Sequence, residues 1–561
     1  MADGSGPGFE AEPLKGGEAE GGVSKKKGCA GKLGVSHLTA WRTAAFLFSL
    51  FLCLVVVFAF SFILPCPVRP QYESTWNRTY SAAATYNFLA VEDANEDKVL
   101  DVFFMYRDAD ASRNTCLSED LSIPCVVLMA VDGTKGKTLW ERPLAAEFDW
   151  VECGVKGLGR KGTGCLVAHA DNFTAVDKQS GKIMWQQPRS SVMNGNLPLI
   201  SVMDLNADGA EDFAMLSYNP EAPSLTPIPT ELVFFSGKSG DQIGSRVDVD
   251  VNGVFDHLPF NTASGAPYLL LLTDSGLHAV GLQHLAARAQ AGLESALKKE
   301  KSWEDRSDGQ TGFISLYQSD SLKRVTVVDR SGSPSLLVQT DSSVSLLLTD
   351  KLKIAWTANT SALLSVPTSG QFDKDGIPDI MIEEDIGNDT KSVTVLSGQN
   401  GDVLWKVNLS FWTPNPRPAS VLTLNAFSVF MLWGKSHSNQ TMHSSYLLHP
   451  RHSQMLLERG NSALNIVSFK APHSGSVVPC PLATLLERGR HAGYLVLTGP
   501  DGRQHAELNG TESVILTKRK IKDDVWESSV LGLAADEPVS KDMEKYVKEA
   551  FHILRFSDAL F

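Results

Sequence analysis

Along most of the 561-residue chain, apolar positions come in short runs of Val, Ile, Leu and Phe bounded by Gly, Asp, Asn and Ser. That pattern predicts strands, and long helical periodicity is rare. A hairpin motif recurs as "VDGTKGKTLW" (131–140), "VDKQSGKIMW" (176–185) and "LSGQNGDVLW" (396–405). "FSGKSGDQIG" (235–244) is a weaker copy and "LLTDKLKIAW" (347–356) another. Each reads as strand, turn, strand, and in the first four copies the turn glycine supplies a positive φ. Short-strand repeats every ~40–60 residues predict an all-β fold, a β-propeller, because one small sheet cannot bury both faces alone. The expected blade cores are 84–142, 147–187, 197–246, 250–280, 323–358, 365–408, 417–458 and 463–520, about seven or eight in all. The propeller is thus expected over 83–522, after a stalk at 65–82.

Two segments have helical spacing instead. In 281–300, Leu282, Leu285, Ala289, Leu293 and Leu297 recur at helical intervals and predict an inserted helix. In the C-terminal segment, 523–561, Ser540 is a candidate N-cap, and Met543, Tyr546, Val547, Ala550, Phe551 and Leu554 share one face. This predicts an amphipathic helix packed on the propeller.

The run "AAFLFSLFLCLVVVFAFSFIL", 44–64, has neither charge nor proline. It matches the ~20 residues that cross a bilayer as a helix, and it exceeds the ~7–15 of a signal-peptide core. A signal anchor is the reading, with a cleaved signal peptide its rival. Lys25, Lys26, Lys27, Lys32 and Arg42 precede it, whereas Arg69 and Arg78 follow. The positive-inside rule then puts 1–43, a polar tail expected to be disordered, in the cytosol and the rest outside, a type II topology at the cell surface or in a secretory-pathway membrane. The "SKKK" at 24–27 reads as the ordinary basic flank, with an anionic-lipid contact as the sharper alternative.

Net charge is −13, which argues against nucleic acid as a partner. An outside location fits seven N-x-S/T sequons, at Asn77, Asn172, Asn359, Asn388, Asn408, Asn439 and Asn509, as candidate glycosylation sites. It also fits the six cysteines beyond the span. Proximity favours Cys116–Cys125 and Cys153–Cys165 among the 15 pairings open to six cysteines. That leaves Cys66 with Cys480, a bridge that would join the two ends of the propeller region.

Acidic loops are the main candidate chemistry. "DLNADGAED" places Asp204, Asn206 and Asp208 at alternate positions, then Gly209 and Asp212. "DANEDKVLD" repeats the offsets with Asp93, Asn95, Asp97 and Asp101, and "QFDKDGIPD" with Asp373, Asp375 and Asp379. Calcium takes about six to eight oxygens, and alternate side chains of a tight loop converge on such an ion. The twelfth position is Met215 and the flanks are strands, which excludes an EF-hand. Lys98 in place of the glycine and Gln371 in place of the first Asp weaken the other two copies. Ordinary turn-forming by Asp, Asn and Gly is the competing explanation. The loops resemble the FG-GAP repeats of integrin α-subunit propellers, and that resemblance implies structural calcium without catalytic duty.

"FLFSLFLCLVVVFAFSFILPCP", "YSAAATYNFLAVEDANEDKVLDVFF" and "LWERPLA" are similar to the family with sequence similarity 234, most of all to its A branch. The resemblance implies a single-pass type II membrane glycoprotein with no defined catalytic activity. The expected function is a non-enzymatic binding or scaffold domain whose protein partner the residues do not name. Two alternatives are a luminal enzyme of quinoprotein-like fold, from the G-x-x-L-W hairpins, and a luminal sensor or chaperone-associated protein. Against the enzyme stand the lack of adjacent cysteines and of H-E-x-x-H, G-x-S-x-G or P-loop motifs. His449 and His452, with His437 and His443 nearby, read as residues of solvated loops rather than zinc ligands.

Overall fold

A computed structural model describes residues 40–63, 75–109, 115–121, 123–158, 162–169, 171–189, 195–218, 230–309, 311–330, 332–413, 415–438, 442–460, 485–487, 491–500, 502, 513–533 and 539–557. It divides into two units, 1–71 and 72–561. In the first, Ala40–Ile63 is a helix of 24 residues. Its described side chains are Trp41 and those of 44–58. Among the described residues no helix is long and apolar enough to cross a membrane.

The second unit is an eight-bladed β-propeller of antiparallel sheets. Blade one runs Ala83–Glu92, Asp101–Asp108, Cys125–Val131 and Thr138–Ala145 from inside to outside. Blades two to seven repeat this order, and blade seven gains a fifth, outermost strand, Ser529–Gly532. Blade eight takes Leu485–Glu487, His491–Thr498 and Ser513–Lys520 from the C-terminal region. Its outer strand is Trp76–Ser81, paired with Ser513–Lys520. Residues 76–81, expected in a stalk, are therefore part of the ring. So is 529–532, expected to lie beyond it. Joining the first strand to the last sheet closes the ring and leaves no open edge between the chain's two ends.

The period-2 pattern sets the packing between blades. In "VFFMY", Phe103 and Met105 pack with Phe148, Val151 and Val167 of blade two. The alternate residues Val102, Phe104 and Tyr106 pack with Trp76, Tyr80, Leu495 and Leu516 of blade eight. Each second or third strand is buried on both faces, so its sequence reads as continuously apolar.

The tryptophans that end the hairpin motifs, together with Trp76 at the start of blade eight's outer strand, join one blade to the next. Trp76 Nε1 donates to the Gly133 carbonyl (3.2 Å), Trp140 to Lys178 (2.9 Å), Trp185 to Gly237 (3.0 Å), Trp356 to Gly398 (3.0 Å) and Trp405 to Ser453 (2.7 Å). Each acceptor lies in the outer hairpin of the following blade. Trp303, from a short helix at Lys301–Glu304, does the same for Thr349 (3.0 Å). The turn glycines are needed for two reasons. Gly136, Gly181, Gly240 and Gly401 have φ of +65° to +78°. A Cβ on any of them would also meet the preceding blade's tryptophan ring at 2.5–2.8 Å.

The weaker hairpin copy has a structural cause. Gly244 stands where the other copies carry tryptophan, and a Cβ there would come 2.2 Å from the Ala289 carbonyl oxygen. Ala289 ends the inserted helix, Leu282–Ala289, which packs in the tryptophan's stead. This helix is shorter than its apolar spacing predicts. Gln290 and Gly292 turn to positive φ, and Leu293 N–H pairs with the Leu205 carbonyl (2.9 Å). The C-terminal helix, Lys541–His552, starts at Ser540, whose hydroxyl accepts from Met543 N–H (3.2 Å).

Glu152 links blades two and three. Its Oε2 accepts the Leu199 N–H (2.8 Å), which a bulge between Asn196 and Ile200 releases from the sheet. Burial pushes its pKa from 4.5 up to about 7, with that N–H pulling the other way. A carboxyl whose pKa rises on folding loses stability as pH climbs through that window. Glu152→Gln is expected to stabilise the fold by about 1–3 kcal/mol at pH 8 and by little at pH 4.5. Melting at the two pH values checks this, and an equal gain at both would contradict it.

Candidate metal loops

All three acidic loops connect the inner strand of a blade, one, three or six, to its second strand. At 204–212 the chain folds back on its own carboxylates. Asp204 accepts from the N–H groups of Asp208 (3.1 Å) and Gly209 (2.8 Å), and Asp208 from that of Ala210 (2.9 Å). Gly209 sits at φ +87°. Asp204, Asp208 and Asp212 each bring one oxygen within 4.8 Å of the others, and so do Asp373, Asp375 and Asp379. Among the described residues no such group forms at 93–101, where Lys98 occupies the glycine position at φ +68°.

The last Asp of each loop has a second task. Asp101, Asp212 and Asp379 are fully buried. One oxygen of each takes an N–H from the loop start: Ala94 (2.9 Å), Leu205 (2.7 Å) and Phe372 (2.6 Å). The other takes an N–H from the same blade's outer hairpin: Gly133 (3.0 Å), Gly237 (3.2 Å) and Gly398 (3.1 Å). Each carboxylate thus staples two turns of one blade. Burial raises the pKa of Asp101 and of Asp379 to about 6, and raises that of Asp212, against the pull of these N–H groups.

The donor chemistry fits a hard cation. Three carboxylates converge in two loops, and each oxygen has a lone pair left after its hydrogen bond. Asp93 Oδ1 and Gln371 Oε1, at the first position of their loops, are buried without hydrogen-bond partners. Gln371, read from sequence as a lost charge, still offers a neutral oxygen of a kind calcium accepts.

Disulfides join Cys116–Cys125 and Cys153–Cys165, the pairs favoured by proximity. Cys66 and Cys480 lie outside the described residues. Asn77, Asn172, Asn359, Asn388 and Asn408 are exposed, while Asn439 and Asn509 also fall outside the description. His449 departs from its sequence reading. It is buried rather than solvated, under the C-terminal helix through Phe551.

A model of the FAM234A/B β-propeller matches residues 76–557. The chain belongs to the FAM234 family. Protein FAM234A of Rattus norvegicus is 33% identical over 93% of this chain and 92% of its own length. FAM234A of Homo sapiens is also 33% identical, over 93% and 92%. FAM234B of Mus musculus is 29% identical over 81% and 74%. The match begins at Trp76, the first residue of the closing strand, so the family domain includes that strand.

Proposed function

We propose that this FAM234 chain is a single-pass type II membrane glycoprotein whose propeller, outside the cytosol, is a non-enzymatic binding or scaffold domain. The observation that carries the location is the uncharged apolar run 44–64, about the length that crosses a bilayer, which reaches beyond the described side chains of the helix Ala40–Ile63. Phe46, Phe48, Phe51, Val57 and Phe58 are 59–66% exposed on it. A helix apolar on every side is unstable in water and suited to lipid. Five exposed sequon asparagines and two disulfides support the same location. A propeller offers many turns on a rigid ring, which suits partner recognition by loops. The chain reads as nearer FAM234A, at 32–33% identity, than FAM234B, at 28–29%. The test is endoglycosidase treatment with protease protection of membranes from cells expressing the full chain. The reading requires a glycan-dependent mass shift and a propeller shielded from protease added on the cytosolic side; an unmodified, cytosol-facing propeller would overturn it. Proximity labelling by the same chain addresses the scaffold role, and labelling no different from that of an unrelated type II anchor would count against it.

We also propose structural calcium in the loops at 204–212 and 371–379. Calcium is expected to raise the melting midpoint relative to chelator. Asp208→Ala, at a partly exposed ligand position, should abolish the shift due to its loop and cost little in chelator. Asp212→Asn should cost about 1–3 kcal/mol even in chelator, because it weakens the buried staple. Equal melting of the parent chain with calcium and with chelator would rule out the ion.

A further inference from the structure

A cavity of about 820 Å³ opens between blade seven and the C-terminal helix. Its floor is the outer hairpin of that blade, with His449, Arg451 and His452. Its wall is apolar: Phe551, Ile553 and Leu554 follow one another around the end of the helix, with Tyr546 one turn earlier. Ile553 and Tyr546 are 70% and 59% exposed, so much apolar surface lies at the rim. The volume lies within the ~300–1,000 Å³ usual for small-molecule sites.

The polar groups define what would fit. His449 is 2% exposed. Its Nδ1 accepts the Arg451 N–H (3.2 Å), so in the neutral ring Nε2 carries the proton. Nε2 is buried without a hydrogen-bond partner, a donor lacking an acceptor. Burial, reinforced by His452, Arg451 and Lys374, lowers the His449 pKa to about 4, which keeps the ring neutral at physiological pH. Arg451 and Lys374 both rest over Phe427, at 5.4 and 4.4 Å from its ring centre. The Arg451 side chain is exposed and has no carboxylate partner among the described residues, which leaves it free to swing toward a ligand. The one carboxylate in the lining, Glu549, lies 3.9 Å from Lys545.

We propose that this cavity binds a small monocarboxylate with an apolar body, its carboxylate held by Arg451 at the floor and its body against Phe551, Ile553 and Leu554. A guanidinium fork matches a carboxylate, and a hydrogen bond to a charged acceptor is among the stronger ones. Filling the cavity would also bridge blade seven to the C-terminal helix. The site does not depend on which side of a membrane the propeller faces.

The test is calorimetric titration of the full chain in lipid nanodiscs with 4-phenylbutyrate, using 4-phenylbutanol as the uncharged control. Saturable binding of one acid per chain, tighter than the alcohol, is expected. Arg451→Ala should weaken the acid about tenfold and leave the alcohol unchanged. Ala550→Trp, which fills the cavity from the helix, should remove both. Melting of each variant verifies that it is folded. Three results would overturn the proposal: no saturable binding, an alcohol that binds as tightly as the acid, or folded variants that bind the acid like the parent.

Discussion

Replacing Glu383 with alanine is expected to destabilise the propeller by about 3–5 kcal/mol, one of the two largest effects anticipated for a single substitution. Glu383 and Lys391 are both 0% exposed and form an ion pair between the second and third strands of blade six. The pair is closed by Asn415, which accepts from Lys391 Nζ (2.7 Å) and donates to Glu383 Oε2 (2.6 Å), and by the Ser365 hydroxyl (3.0 Å). Asn415 lies on the connection to blade seven, so the network fixes that connection as well as its own blade. Burial lowers the Lys391 pKa, and Glu383 opposes this. Without Glu383 the ammonium is buried unpaired and tends to lose its proton. A lysine that binds its proton less well in the fold gains stability as pH rises. The deficit of Glu383→Ala should therefore shrink in alkaline buffer. Glu383→Leu combined with Lys391→Met removes both charges, and about neutral stability is expected. Denaturant titrations of the single and double variants measure the coupling. A Glu383→Ala chain as stable as the parent would refute the role of the pair.

Trp356→Ala is the second substitution with a large expected effect, about 3–5 kcal/mol, because it removes a buried ring from the seam between blades five and six. The ring is 7% exposed and its N–H binds the Gly398 carbonyl (3.0 Å). Its face lies against Gly401, where an added Cβ would come within 2.8 Å of the ring at a φ of +78°. Gly401→Ala should therefore be destabilising in its own right, by about 1–3 kcal/mol, from strain and overpacking. The two changes share one contact, so their combined cost should fall short of the sum. Trp526→Ala is the control. That ring is 49% exposed, meets His552 at a tilt and donates to its Nδ1 (2.8 Å), and its loss should cost far less. Equal costs for Trp356→Ala and Trp526→Ala would remove the case for tryptophan as the joint between blades.

Most of this architecture was legible in short windows. Alternation in "VFFMY" and the G-containing hairpins reflect sterics acting within a few residues, which is why the boundaries of blades one, two, three, five and six lie close to those expected. Blade four was cut short because its outer strand, Phe313–Gln318, follows the inserted helix and has no motif of its own. The glycine of each hairpin was read as a turn residue, which accounts for half of its role. The tryptophan that presses on it lies some 40–60 positions earlier in the chain, too far for a local pattern to reveal. The acidic loops were likewise read as one kind of site. Residue spacing does not distinguish a carboxylate facing solvent from one buried against a neighbouring turn.

The sequence by itself determined the strand-rich blades, the apolar N-terminal run, the sequons, the oxygen-rich loops and the two short-range disulfides, because each depends on groups close together along the chain. Only the tertiary structure decided that Trp76–Ser81 closes the eighth blade against Ser513–Lys520, that Asp101, Asp212 and Asp379 staple turns, and that the C-terminal helix buries His449 beside a cavity. Those features join residues separated by tens to hundreds of positions, and such pairings are fixed by ring closure and packing rather than by local conformational preference.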